Sequence, residues 1–425
     1  MTTKITYLVS HYPAISHTFI LNEIRHLRDQ GLDIDVCSIN DPDRVDECLT
    51  VVEQAEKKRC FYVKSAGIGA IARAHLGLLL KSPLRYFRGL GMAVSLAGGS
   101  PRELLYRLFY FAEAVVVAHR MQHRGSSHVH VHFGSEVATV GLLVKQVAPV
   151  GFSLTIHGSD EFYDAPGFHL TRKVEEADFI FCISHYTASQ LMRLSESQHW
   201  NKISVAPLGV DVNHFSPQKK SDDHDTLNVL CVGRLNAAKG IHLLLKAVAH
   251  LHRQYDSLRL IVVGDGELRA SLESLVESLG IADRVEFAGA VNQDGIPPYY
   301  QRADVFCLPS FAEGVPVVLM EAMSMEIPCV ASRITGIPEL IDDGCNGLLF
   351  TAADVDALTA ALKRLLDDPV LRQKLGRAGR QKVLAGYDLN ANFTALAHHF
   401  VEQLDGCESS QEGRRGAVWA SERYV

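Results

Sequence analysis

A chain of 425 residues and 46.8 kDa is too long for one ordinary core and predicts two domains. Its 47% apolar and 21% charged residues are the balance of a soluble globular protein, and no apolar run reaches the 18 or so residues that span a bilayer. Nine scattered cysteines without a C-x-x-C pair exclude a disulfide or zinc framework and predict reduced thiols, several of them buried in apolar runs. The opening "MTTKITYLVS" lacks the apolar core of a signal peptide, so the expected location is cytoplasmic. The net charge of −7 falls entirely in residues 218–425. Within the first half, residues 57–124 carry twelve basic side chains against only Glu103 and Glu113.

Along the chain, short apolar runs alternate with amphipathic stretches. Strands are predicted in "ITYLV", "IDVCSI", "HVHVHF", "SLTIH", "FIFCIS" and "ISVAPLGV", then in "NVLCVG", "LRLIVVG", "VEFAGAV", "DVFCLP", "PCVAS" and "GLLF". Strands that are apolar throughout, separated by helices, belong to parallel sheets covered on both faces. The segment "SHTFILNEIRHLRDQG" places Ile20, Ile24 and Leu27 on one helical stripe and stops at Gly31. A longer helix opens with a capping box, Ser100 to Glu103, has Pro101 in its first turn and ends at Gly125. The polar stretch 213–228 separates the halves.

The expected fold is α/β, two facing doubly wound Rossmann-like domains with a cleft between the carboxyl ends of their strands. The first domain is assigned to 1–215 and the second to 216–385. A C-terminal helix over 386–405 is expected to return toward the first domain, and 406–425 reads as a loose tail.

Three stretches carry chemistry. In "VLCVGRLNAAKG" a strand runs into Gly233, followed by Arg234 and, at the start of the next helix, Lys239. Two cations and free helix N–H groups at a strand end suit an anion. In "VVGDGELR", Gly264 lets backbone approach a ligand or merely makes the turn. In "SFAEGVPVVLMEAMS", Gly314 and Pro316 precede a helix, with Glu313 in the loop and Glu321 in its second turn. A diphosphate could rest on the first-turn amides of Val317, Val318 and Leu319 under Arg234 and Lys239. One carboxylate would then reach sugar hydroxyls on each side.

Taken together, "VGRLNAAKG", "VVGDGELR", "SFAEGVPVVLMEAMSMEIPCVAS" with its E-x7-E, "GIPELIDDGCNGLLF", "APLGVDVNHFSP" and "TIHGSDEF" resemble the family 4 glycosyltransferases, retaining enzymes of the GT-B fold. The N-terminal "YPAISHTFILNEI" is similar to the branch that builds bacterial exopolysaccharides and related surface glycans. The resemblance implies a nucleotide-sugar donor, UDP- or GDP-linked, a glycan or lipid-linked acceptor, and neither cofactor nor metal. By it, Arg234 and Lys239 bind the donor diphosphate, Glu321 the ribose and Glu313 the transferred sugar. His157 meets that sugar from the first domain, with Asp160 from the same loop, and Gly336, Pro338 and Glu339 line the site through backbone turns. The family's Gly-Gly loop after the first strand is here "SHYPAISHT", so Ser16, His17 and Thr18 are expected to supply side-chain contacts, to the acceptor among others.

Lys81, Arg85 and Arg88 fall at i, i+4 and i+7 beside Leu80, Leu84 and Phe87, with Pro83 interrupting them. Such a face suits either an anionic membrane surface or bulk solvent. A nucleic acid is not expected, because no recognition motif accompanies the charge. Two other functions share the layout: a sugar-nucleotide epimerase and a non-catalytic nucleotide-binding scaffold in glycan assembly.

Overall fold

The computed structural model describes residues 4–158, 160–218 and 226–412. The first sheet holds seven strands, β1 (Lys4–His11), β2 (Asp33–Asn40), β3 (Phe61–Tyr62), β4 (His128–His132), β5 (Gly151–Ile156), β6 (Phe179–Cys182) and β7 (Ile203–Val205). Its order is β3-β2-β1-β4-β5-β6-β7, all parallel, with Leu8 opposite Cys37 and Leu154 opposite Ile180. The second sheet holds β8 (Leu227–Val232), β9 (Leu258–Val263), β10 (Val285–Gly289), β11 (Val305–Leu308), β12 (Cys329–Ser332) and β13 (Leu348–Phe350), in the order β10-β9-β8-β11-β12-β13. Each is a doubly wound parallel sheet, and the strand interiors are buried on both faces, as their unbroken apolar runs require.

Every strand expected from the apolar runs is present, and β3 is an addition. It is a two-residue edge strand, too short to leave a periodic signal. The expected run 203–210 is a strand only over β7, with Val210 continuing as an isolated bridge to Asp388.

The helix Pro101–Arg124 begins and ends where expected. Ser100 accepts from the Glu103 amide, and Gly125 closes the helix in the left-handed region (φ 70°). The capping box is only half made, because the Glu103 carboxylate turns to Arg107 instead of its own N-cap. The reciprocal box occurs at Thr50 and Glu53. Lys81, Arg85 and Arg88 do not share one helix. The chain breaks at Ser82, so Lys81 ends Ile68–Lys81 while Arg85 and Arg88 lie on Pro83–Leu96, where Pro83 starts a helix rather than interrupting one.

The final helix corrects the expected tail. It runs Leu389–Glu412, so residues 406–412 are helical; residues 413–425 lie outside the described residues. The chain reaches it through Tyr387–Leu389, hydrogen-bonded to Val210 on both sides. Gly209 lies against this crossing, and a Cβ there would fall 2.5 Å from the Leu389 Cα. The helix then packs on the first sheet. Phe400 is fully buried, with ring centroids 4.8 Å from His130, 5.0 Å from Phe181 and 5.8 Å from Phe179. Truncating it leaves a cavity the rigid sheet cannot close. Phe400→Ala should therefore destabilise the protein by about 3–5 kcal/mol, measured as a lower urea midpoint.

Candidate active site

The strand ends of the two sheets face one another, and they meet through glycine backbone. Gly158, just past β5, touches Gly314: a Cβ on Gly158 would lie 2.8 Å from the Gly314 Cα, and one on Gly314 would lie 2.0 Å from the His157 carbonyl oxygen. Gly336 backs the same point, its Cβ position 2.7 Å from the Gly314 carbonyl. Beside this seam the Glu339 carboxylate accepts from the amides of His185 (2.9 Å) and Tyr186 (2.7 Å), the first turn of helix His185–Leu194. A carboxylate at a helix N-terminus satisfies free donors and the helix dipole together. Glu339 thus ties the domains through its side chain, whereas the sequence reading gave it only a backbone role.

On the second-domain side, Gly233 follows β8 and Gly264 follows β9. Gly264 has φ 137°, and a Cβ there would fall 1.9 Å from the Gly233 carbonyl, so glycine is required for the two strand ends to lie this close. Lys239 sits in a 3-10 turn, Ala237–Lys239, one residue before the helix Ile241–Leu251, instead of inside it. Its Nζ donates to Glu313 Oε1 at 2.5 Å, and Ser310 Oγ donates to the same oxygen at 2.6 Å. Arg234 is exposed, and its charge reaches His17 of the other domain. Burial first, then His132 and Arg234, hold His17 down to about 4.

The helix Val317–Ser324 carries Glu321 in its second turn. Glu321 is buried and accepts from Tyr300 Oη at 2.6 Å, and burial raises its carboxyl to about 7. Of the three first-turn amides expected to be free, Leu319 N–H is occupied by the Pro316 carbonyl at 3.1 Å. Among the described residues those of Val317 and Val318 remain without a protein partner.

From the first domain, His157 follows β5, with Phe19 and Phe133 packed on its ring at 4.8 and 4.5 Å. Its loop is held by Glu161, whose carboxylate accepts from the amides of His157 (2.6 Å), Gly158 (2.8 Å) and Gly134. Burial raises Glu161 to about 7 despite those three donors. Asp160 starts the short helix Asp160–Tyr163 and is exposed. Thr18, with Asn22, Arg25 and Asn292, lines a separate cavity of about 480 Å³ between the domains. The Ser16 side chain lies outside the described residues. The glycine-free loop is pinned by Tyr12, whose hydroxyl donates to Glu56 at 2.9 Å.

The chain thus brings His157, Glu313, Gly314 and Lys239 to one seam, with Arg234 and Glu321 on the flanking turns. Glu161 and Tyr300 were missed, because each acts through a partner that no local spacing reveals. Glu23, His130 and His132 bring potential ligand atoms within 4.8 Å of one another, but all four of those histidine nitrogens are already hydrogen-bonded.

Two family models divide the chain. Residues 16–214 match Glycosyltransferase Family 4, and residues 213–382 match Glycosyl transferases group 1. The chain belongs to the family 4 glycosyltransferases. It is 26% identical to the amylovoran biosynthesis glycosyltransferase AmsK of Erwinia amylovora over 94% of this chain and 100% of that one. Sucrose-phosphate synthase of Thermosynechococcus elongatus shares the fold with a TM-score of 0.74 at 22% identity, covering 95% of this chain and 100% of that one. HepE of Anabaena, solved with UDP-glucose, does so at 0.71 and 17% identity, covering 94% and 99%. The GT-B architecture of two facing Rossmann-like domains is therefore the fold of this glycosyltransferase.

A carboxyl raised by folding stabilises the protein while protonated, and that contribution is lost as pH rises through the folded value. Removing this titration at Glu321 leaves the Tyr300 bond possible, since an amide oxygen also accepts. Between about pH 4.5 and 8 the wild type should lose on the order of 3 kcal/mol relative to Glu321→Gln, read from urea midpoints across that range.

Proposed function

We propose that this glycosyltransferase moves a sugar, with retention of anomeric configuration, from a nucleoside-diphosphate sugar to a glycan or lipid-linked acceptor in bacterial surface-polysaccharide or glycolipid synthesis. The observation that carries the reading is the Lys239–Glu313 pair at the strand ends, directly across the glycine seam from His157. The donor diphosphate takes Lys239 and Arg234 together with the amides of Val317 and Val318. Charge spread over those groups helps the nucleoside diphosphate leave. Glu313, released from Lys239, accepts sugar hydroxyls, and Glu321 accepts the ribose diol. His157 meets the sugar from the first domain. The acceptor enters on the side of His17, Thr18 and Asp160. AmsK, named for amylovoran biosynthesis, supports the polysaccharide assignment.

The test is thermal stabilisation by UDP, GDP and ADP and then by their sugar conjugates. A ligand at a hundred times its dissociation constant adds about 2.7 kcal/mol. One nucleotide should shift the melting temperature, its sugar conjugate more, and the NMR-read anomer of the transferred sugar should match the donor's. A donor altered without any acceptor would establish an epimerase instead, and nucleotide binding without turnover a scaffold. Because ribose hydroxyls favour ionised Glu321, nucleotide affinity should rise with pH through about 7, with proton release on binding seen by calorimetry in buffers of different ionisation enthalpy.

The acceptor side also has a place to meet a membrane. Three successive helices leave apolar stripes in solvent: Leu76 and Leu80 on Ile68–Lys81, Leu84 and Phe87 on Pro83–Leu96, Leu105 and Phe109 on Pro101–Arg124. Arg73, Lys81, Arg88 and Arg102 are exposed among them, whereas Glu103 is paired with Arg107 and the Glu113 side chain is largely covered. No helix of the described residues is long and apolar enough to cross a bilayer. A basic rim on exposed leucine and phenylalanine suits the surface of an anionic membrane, the inner face of the plasma membrane in a cytoplasmic enzyme. Leu84→Ser with Arg88→Glu should weaken co-sedimentation with anionic vesicles at least fivefold, taking roughly 1 kcal/mol per lost basic residue. Equal binding by the double variant would leave this face solvated.

A further inference from the structure

Behind His157 lies a buried chain of polar groups that the transfer reading does not use. Tyr7 Oη, from β1, donates to Glu23 Oε1 at 2.8 Å. The same oxygen bonds His132 Nε2, from the end of β4, at 3.1 Å. His132 Nδ1 in turn lies 2.9 Å from His157 Nε2. Tyr7, Glu23 and His132 are each 2% exposed or less, whereas His157 keeps 8%. His157 Nδ1 has no protein partner among the described residues and is not sealed from solvent.

With Glu23 as a carboxylate and one proton on each ring, the geometry of the chain admits a single set of proton positions. An ionised carboxylate only accepts, so His132 carries its proton on Nε2, facing Glu23. The Nδ1 of a neutral His132 then accepts. His157 must therefore donate from Nε2, which leaves a lone pair on its Nδ1. The open nitrogen of the site is thereby fixed as an acceptor by groups two residues removed from the ligand.

We propose that Glu23 and His132 are positioning residues that hold His157 as the Nε2–H tautomer, so that its Nδ1 accepts a hydrogen bond from a hydroxyl of the bound sugar. This rests on the donor-site reading of His157 given above. The neutral ring it requires is favoured by its surroundings. Burial first, then His132 and His17, hold His157 well below the ordinary histidine value. Across the seam, Lys239 and Glu313 are paired with each other. Glu161 binds the backbone amide of His157 rather than its ring, and both His130 nitrogens bond to the hydroxyls of Ser153 and Thr155.

The consequence is specificity for a hydroxyl at one position of the sugar. A site that accepts a hydroxyl hydrogen penalises the analogue lacking it, since the acceptor is then left unpaired.

The test reads the tautomer directly. The full chain is labelled with 15N-histidine, and the His157 resonances are assigned by their loss in His157→Asn. Near pH 7.5, Nδ1 should show the shift of an unprotonated nitrogen and Nε2 that of a protonated one. A proton on Nδ1 would overturn the proposal, whether or not any variant folds. Glu23→Gln should keep the tautomer, because an amide oxygen can accept from both Tyr7 and His132. His132→Phe should release it to a mixture, lower transfer about tenfold for the loss of one aligned hydrogen bond, and erase discrimination against one deoxy-sugar donor that the wild type rejects. Unchanged discrimination in a folded His132→Phe would also count against the proposal. The two readings fail separately. Nucleotide stabilisation and transfer with Nδ1 protonated would sink only the tautomer assignment. A bare Nδ1 with no stabilisation by any nucleotide would sink only the donor site.

Discussion

Everything in the site depends on two sheets whose strand ends meet through bare backbone. Gly158, Gly314 and Gly336 lie so close that any side chain there would collide with a neighbouring main chain. Main-chain contact at that distance brings the strand ends near enough for one small ligand to touch both domains. Glu339 supplies the polar half of the junction, spending its carboxylate on the helix that begins at His185. Glycine here contributes absence of volume, and Glu339 contributes the charge that makes a bare helix end tolerable beside it.

Within the seam, charge is balanced locally. Lys239 and Glu313 neutralise each other at 2.5 Å, with Ser310 on the same oxygen. Glu321 is handled differently, by burial and a single phenol. One carboxylate is therefore ready to exchange a cation for a ligand, while the other waits for donors. The two glutamates of the E-x7-E pattern occupy different electrostatic settings eight residues apart, because one lies in a loop and the other faces into a helix-covered core.

Much of this could be read from residue order. Parallel strands covered on both faces announce themselves as largely apolar runs, and twelve of the thirteen strands can be picked out so; Phe61–Tyr62 is too short to carry a pattern. The cations, glycines and glutamates of the second domain are visible because Gly233, Arg234 and Gly264 sit just after a strand, and Lys239, Glu313 and Glu321 lie in the loop and helix that follow one. Partners brought by tertiary packing were not. Tyr300 reaches Glu321 from another helix, and Glu161 works on the backbone around it. The alternating histidines of "HVHVHF" predict a strand without naming the partners of their rings. Three polar side chains on a strand expected to be fully buried do carry a signal, since each must find a partner. Ser82 divides the basic face for an equally physical reason, because proline accepts the first turn of a helix more readily than its middle.

The helix that ends the described chain has a bearing on how the protein is made. Phe400 completes the packing around Tyr7, Phe179 and Phe181, nearly four hundred residues after the first of them. Domains generally fold in order as they leave the ribosome. Here the first sheet emerges early, but the face shared by Ile20, Ile24 and Leu27 stays only partly covered until the helix Leu389–Glu412 is synthesised. The second domain must therefore fold while its predecessor is incomplete, and a nascent chain of this protein exposes an aromatic surface for most of its translation.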